Sequence, residues 1–522
     1  MMRQPKIRKS AQGLRRALSD FLTAPIGGWN ARDPLDRMKA TEAVVLENWF
    51  PRPGSVDLRG GYSNFSTGFT PDTPQVMMSW NGQAGSKLLA VTQDHIYDVS
   101  AGGARGAAVA NVTGTEMSWV NFEVAGGAYL VAVNGQDLLK LYNGTTWQDI
   151  NGVSTPAITG VTTSDLTSVA VAHRRLWFTK ASSTSAWYLP TAAVGGALTE
   201  FPLGQVFTRG GYLVGIATWS SDAGDGQDDY TVFASSEGEL AVYRGTDPAS
   251  ASTFAKVGVM SVAAPIGGFR CFAKFGGDLL FLCELGLFRL SKLLGSKDSI
   301  IASLALTDKI DRAFALAVKS YRTNINWQVL DYPREQALLV NIPITTSYSE
   351  QYVMNTLTGA WAKFTGWSVQ NMVVHERELY GAGADAVLKL WAGVADDDGV
   401  IRGKLQSAYN YFGLRGLLKH VKLFAPMLQT TAAVASRLGV DVDFSMKGAG
   451  SPAAINPPEG STWDGSTWDD AYWAGDFTVA TGWVSVPCSE GFAHSILYQV
   501  ETRTAEVKLL GFNIAGDRGG PM

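Results

Sequence analysis

The sequence predicts an all-β protein: a β-propeller of about seven blades (six to eight), followed by a C-terminal β-sandwich-like domain. Three observations predict it. A unit of two apolar strands, a turn and a third strand recurs seven times. Its second strands read KLLAVTQ (from Lys87), AYLVAVN (Ala128), RLWFTK (Arg175), YTVFASS (Tyr230), DLLFLCE (Asp278), ALLVNIP (Ala337) and ELYGAG (Glu378). Each following strand carries or adjoins an aromatic, in order Tyr97, Tyr142, Tyr188, Tyr243, Phe288, Tyr352 and Trp391. The third observation is the spacing of about 45 residues, the length of one blade. One such unit cannot bury both of its faces. Stacked radially, the units cover one another and leave short edges.

Upstream of each second strand lies a first strand: VMMSW (Val76), SWVNFEV (Ser118), SVAVAH (Ser168), YLVGIATW (Tyr212), RCFAKF (Arg270), INWQVL (Ile325) and VQNMVV (Val369). The repeat spans residues 76–402. Residues 1–22 form a basic arm, in which Arg3, Lys6, Arg8, Lys9, Arg15 and Arg16 precede the first acid, Asp20. Leu14, Leu18, Phe21 and Leu22 fit one side of a short helix. The arm reads as a solvated tail or as a docking element. Residues 23–75 are an entry segment. A short helix is expected around Thr41 to Glu47, and the extended VDLRGGY is expected to pair with the last blade and close the ring. A helical insert near 303–320 is expected after the fifth unit, capped by Thr307 or Asp308, with Ile310, Phe314 and Val318 on one face. Residues 403–522 carry further strands, among them KHVKLFAPML, RLGVDVDFSM and EVKLLGFNIAG. The alternation Val440, Val442, Phe444, Met446 predicts one buried face there. Between these strands, a Trp-rich loop at 461–473 brings Trp463, Trp468, Tyr472 and Trp473 close in sequence. It reads as a staple onto its own domain or as a partner anchor.

Composition limits the function. The 522 residues are 46% hydrophobic with 57 Gly and 16 Trp, as suits strands joined by many turns. Lys and Arg total 43 against 47 Asp and Glu, a net charge of −4, so nothing global points to nucleic-acid binding. Cys271, Cys283 and Cys488 are too few for a disulfide framework, and the first two read as small buried apolar residues. No secretory signal and no run of about 20 apolar residues is visible, so no membrane span is expected.

Catalytic and metal patterns are sparse. SSDAGDGQ, from Ser220, satisfies only the first half of a sialidase Asp box. The same acidic loop reads first as a solvated hairpin and second as a Ca²⁺ site through Asp222, Asp225 and Asp228, with Asp229 beside them. The histidines His95, His173, His375, His420 and His494 show no zinc spacing. Phosphate loops and nucleophile elbows are absent, and neither an enzyme activity nor a cofactor is expected.

The segments GGWNARDPLDRMKATEAVVLENWFPRPGSVDLRGGY, HRRLWFTKASSTSAWYLPTAAVGG, RGGYLVGIATWSSDAGDGQDDYTVFASSEGELAVYRGTDPAS and PIGGFRCFAKFGGDLLFLCELGLFRLS together resemble tail hub, or nozzle, proteins of short-tailed bacteriophages. The resemblance covers roughly residues 23–400. It implies a virion structural protein that assembles in the host cytoplasm as a ring, expected to be a hexamer. The ring would sit below the portal and adaptor rings, extend the DNA-ejection channel and hold tail fibres or spikes. Viral DNA would pass through the lumen without sequence-specific binding. Arg3, Lys6, Arg8, Lys9, Arg15, Arg16, Trp463, Trp468 and Trp473 are the candidate docking residues. The alternative is a glycan-binding or glycan-cleaving propeller, such as a receptor-binding tail protein. A third reading, a cytosolic WD40 or kelch scaffold, lacks the Trp-Asp ends and Gly-Gly doublets of those repeats.

Overall fold

The computed structural model describes residues 16–83, 85–222, 227–294, 303–445, 451–455, 478–485 and 490–521. The chain divides into two compact units, residues 60–399 and residues 1–59 with 400–522.

Residues 60–399 form consecutive antiparallel sheets. Sheet I comprises Val76–Gly82, Gly85–Val91, His95–Asp98 and Ala108–Asn111. Sheet II comprises Ser118–Val124, Gly127–Val133, Leu139–Tyr142 and Trp147–Ile150. Sheet III runs from Leu166–Ala172 through Arg175–Lys180 and Ala186–Tyr188 to Thr199–Phe201. Sheet IV runs from Leu213–Asp222 through Gln227–Ser235 and Glu239–Gly245 to Phe254–Ser261. Sheet V has three strands, Phe272–Phe275, Asp278–Cys283 and Gly286–Arg289. Sheet VI contains Gln328–Tyr332, Ala337–Pro343, Ser349–Asn355 and Trp361–Phe364. Sheet VII contains Met372–His375, Glu378–Ala382 and Val387–Leu390, and its fourth strand is Tyr62–Thr67 from the start of the unit.

The apolar runs read in the sequence are the second strands of these sheets. They are continuous because both faces are covered. In Gly85–Val91, Leu88 and Ala90 join a core with Val373 and Tyr380 of sheet VII. Their neighbours Leu89 and Val91 join one with Leu130 and Ala132 of sheet II. Sheet II repeats the pattern, since Val131 and Val133 face Leu176 and Phe178 of sheet III. The third-strand aromatics Tyr97, Tyr142, Tyr188, Tyr243, Phe288 and Tyr352 are all buried. The first strands of the sheets, here called inner strands, contact one another in sequence, and that of sheet VII contacts that of sheet I.

Among the described residues sheet V has no fourth strand, and Gly286–Arg289 leads directly into the short helix Leu290–Leu293. Leu306 donates its N–H to Leu287 O at 2.8 Å, so the insert lies along the free edge of Gly286–Arg289. The helix is Asp311–Tyr321, with Phe314 and Val318 buried and Ile310 buried just before it. The expected cap is corrected: neither Thr307 nor Asp308 caps this helix. Buried Thr307 instead accepts the Leu287 N–H at 3.3 Å, because a strand edge inside the protein needs a partner more than an exposed helix end does.

The N-terminal expectations change most. Thr41 to Glu47 is not helical, since Glu42–Glu47 is a strand paired with Ile401–Ser407. Of VDLRGGY only its last residue, Tyr62, reaches the last sheet, opposite Leu390, while Ser55–Leu58 pairs with Trp49–Arg52 and with Lys508 and Leu509. The strand that completes sheet VII, Tyr62–Thr67, begins there and lies within the entry segment 23–75. The helix expected over Leu14–Leu22 gives way to the strand Arg16–Thr23, which lies antiparallel to Gly511–Arg518. Leu18 and Leu22 are buried there, and Phe21 is exposed.

The unit containing both chain ends has two sheets. In one, Val507–Pro521 is flanked by Arg16–Thr23 and by Leu417–Thr430. In the other, Ile401–Ser407 and Val434–Val442 flank His494–Thr502. Their facing side chains meet where the Tyr498 ring lies 5.8 Å from that of Phe512 and 5.9 Å from that of Trp49. The expected buried face at 440–446 holds only in part: the buried alternation runs from Val434 through Ser436 and Leu438 to Val442, where the strand stops. Asp443 and Phe444 take positive φ, Phe444 is exposed, and Met446 lies outside the described residues.

Candidate functional site

The inner strands are sheet edges, so one side of each has backbone groups without a strand partner. Side chains supply those partners. Asn371 Oδ1 accepts the Met77 N–H at 3.0 Å, joining sheet VII to sheet I. Gln328 of sheet VI accepts the Met372 N–H at 2.9 Å and donates to Met372 O at 2.8 Å. It also accepts from Asn371 Nδ2 at 3.0 Å. Ser118 Oγ accepts the Val169 N–H at 3.1 Å, and Asn121 donates to Ser79 O at 2.8 Å.

Two histidines take part in the same bracing. His375 Nδ1 and Ser79 Oγ are 2.9 Å apart, and His173 Nε2 and Thr231 Oγ1 are 2.8 Å apart. Burial lowers the His375 pKa below the ordinary histidine value, against a weaker pull from Glu376. This lowering favours the neutral ring, whose Nδ1 is in contact with the Ser79 hydroxyl.

At one end of the inner strands lies a cavity of about 200 Å³, lined by residues that include Met77, Met117, Trp119, Arg270 and Phe272. Arg270 enters it from the turn Gly268–Cys271, which precedes the inner strand of sheet V. Its Nη1 donates to Asn326 Oδ1 at 3.3 Å, and its guanidinium lies 4.6 Å from the centre of the Phe269 ring. Burial pushes the Arg270 pKa down to about 10, opposed by the charge of Glu116. The sequence reading missed Arg270 as a site residue. The first-strand segment RCFAKF carries two cations, Arg270 and Lys274, and nothing in its pattern singles out the first.

A second concavity, an open groove of about 490 Å³, lies between sheets I and II. The Tyr142 and Trp147 rings in its wall are 4.9 Å apart, beside a Lys87–Asp98 ion pair at 2.8 Å.

The predicted site residues fall largely elsewhere. Arg3, Lys6, Arg8, Lys9, Arg15, Trp463, Trp468, Trp473 and Asp225 lie outside the described residues. Arg16 opens the strand Arg16–Thr23 opposite Arg518. Asp222 and Asp228 sit at the ends of two paired strands, with Asp222 opposite Gln227 and Asp228 opposite Ser221. Among the described residues, no group of three His, Cys, Asp or Glu side chains is placed to hold a metal ion. Cys271 and Cys283 are buried free thiols, and burial raises both pKa values, that of Cys283 to about 11. Cys488 lies outside the described residues. No helix among the described residues is long and apolar enough to cross a membrane.

No family model matches the chain, and no curated protein matches it. Solved structures that part of the chain is similar to include the BBS1N chain of a BBS1N–ARL6DN complex. That chain is 11% identical with a TM-score of 0.38, and the match covers 64% of this chain and 96% of that one. The extracellular domain of a hybrid two-component system from B. thetaiotaomicron is 12% identical with a TM-score of 0.39, over 61% of this chain and 40% of that one. Chaetomium thermophilum Raptor is 11% identical with a TM-score of 0.37, over 64% and 29%. At these identities and scores they say nothing of this chain's function.

Proposed function

We propose that residues 60–399 are a seven-bladed β-propeller closed by Tyr62–Thr67, that the other unit is a β-sandwich, and that the chain is a structural subunit of a short-tailed phage tail. In this reading it is the hub or nozzle, a hexameric ring below the portal and adaptor that extends the ejection channel and holds fibres or spikes. The observation that carries the reading is the bracing of the inner strands. Asn371, Gln328, Ser118 and His375 spend their polar groups on neighbouring sheets, as suits a rigid body that must keep its shape under load. The resemblance of residues 23–400 supplies the phage assignment. The chain carries no hydrolytic activity in this reading. Native mass spectrometry with negative-stain imaging of the purified chain, alone and with portal–adaptor particles, tests it. A ring with a central hole is expected. A chain that stays monomeric and fails to join those particles would contradict it.

The groove at Trp147 favours a second reading, a glycan-binding tail protein, because a partly exposed indole beside a charged pair suits a sugar ring. Glycan-array binding that Trp147→Ala abolishes would select this reading. Turnover of the bound glycan would extend it to cleavage.

A further inference from the structure

The cavity at the end of the inner strands has a mixed chemistry. Met77, Met117, Trp119 and Phe272 give it an apolar wall. Its uncharged polar lining is already committed: Ser118, Gln328 and Asn371 hold backbone groups of neighbouring sheets. Arg270 is the exception. It is partly buried, its Nη1 has one long hydrogen bond to Asn326, and its Nη2 has no hydrogen-bond partner. No carboxylate among the described residues stands within ion-pair distance of it. Glu116, which acts on it electrostatically, is solvent-exposed.

A guanidinium taken partly out of water is destabilising unless a counter-ion or further acceptors offset the lost hydration. The fork of N–H donors on arginine matches a planar carboxylate. A multiply charged phosphate would call for several donors, and the amides of Gln328 and Asn371 at this wall are already engaged. Met77, Met117, Trp119 and Phe272 offer apolar contact to a stem.

We propose that this cavity binds a carboxylate carried on a short apolar stem, with Arg270 as its counter-ion. The carboxylate comes either from a small organic acid or from an acidic side chain of another protein chain. The proposal does not depend on the phage reading, since it uses only the geometry of the cavity.

The test is ligand-observed NMR and calorimetry on the full chain with three probes. These are benzoate, the neutral isostere benzamide, and an acetylated, amidated Phe-Glu dipeptide. Benzoate or the dipeptide is expected to bind the wild type. Benzamide should bind at least about tenfold more weakly than benzoate, and Arg270→Gln should weaken the acidic probes by at least about tenfold, the effect of one charge-assisted contact. Tighter binding of the dipeptide assigns the site to a protein side chain, and tighter binding of benzoate to a free acid. Absence of binding by both acidic probes at millimolar concentration overturns the proposal. So does benzamide binding as well as benzoate, or undiminished binding to Arg270→Gln. If Arg270→Gln does not fold, the wild-type contrast between benzoate and benzamide decides, together with a crystal structure locating the benzoate. Benzoate found away from Arg270 overturns the site.

Discussion

The Gln328 side chain holds the backbone of Met372 from both directions, accepting its N–H at 2.9 Å and donating to its C=O at 2.8 Å. One amide thus does what a neighbouring β-strand would do for that residue. The same amide oxygen receives Asn371 Nδ2, and Asn371 receives the Met77 N–H, so sheets VI, VII and I are tied in one chain of hydrogen bonds.

Gln328→Leu tests that chain. Met372 is buried, so losing both contacts leaves two backbone groups without partners. The expected cost is about 2–4 kcal/mol, read as a lower urea midpoint. A midpoint equal to wild type would show that water or a shifted neighbour replaces the amide.

Gly61→Ala tests the closure of sheet VII. A Cβ at Gly61 would lie 1.8 Å from Ala395 O, and the Gly61 N–H donates to Gly393 O at 3.0 Å. The added methyl would collide with the Ala395 backbone and must shift the start of Tyr62–Thr67, where Tyr62 pairs with Leu390 of Val387–Leu390. Hydrogen exchange in those two strands is expected to accelerate more than in sheets II to IV. Uniform protection would rule out this placement of the closing strand.

Leu280→Asp tests the second-strand assignment. Leu280 is fully buried in Asp278–Cys283, between partner residues Ala273 and Arg289. A carboxylate there should cost several kcal/mol, about 3–5, and yield insoluble protein or a much lower melting temperature. Unchanged melting would refute the burial.

His375 gives the fold a pH dependence of known sign. Burial holds its folded pKa below the ordinary value of about 6.5, so on acidification the unfolded chain takes up a proton that the folded one refuses. Its contribution to stability therefore falls as pH drops below about 6.5. His375→Gln should remove that part of the slope, and an NMR titration placing His375 at or above 6.5 would refute it.

Truncations separate the arm from the fold. Deleting residues 1–15 leaves every described pairing in place, so melting is expected to stay unchanged, while on the proposed tail-hub reading joining portal–adaptor particles is impaired. Deleting residues 1–23 removes the strand opposite Gly511–Arg518 and strips cover from Val507–Pro521. Melting should fall and aggregation rise. Equal behaviour of the two truncations would argue against this strand pairing.

The sequence by itself determined the repeated sheets. A run such as KLLAV is apolar at successive positions because Leu88 and Ala90 face one core while Leu89 and Val91 face another, and that need is written locally. The helix face of Ile310, Phe314 and Val318 was legible for the same reason, as a period of one turn. Tertiary structure decided the rest. Whether Val56 or Phe65 lies in the closing strand depends on partners more than 300 residues away, which local pattern does not encode: Val56 meets Leu509, while Tyr62–Thr67 meets Val387–Leu390. Leu18 and Leu22 fit a helix or a strand equally well until Gly511–Arg518 supplies the hydrogen bonds that select the strand. Arg270 was not legible in the sequence as a candidate because what marks it is one buried guanidinium nitrogen, Nη2, without an acceptor, and that appears only once the surrounding sheets are in place.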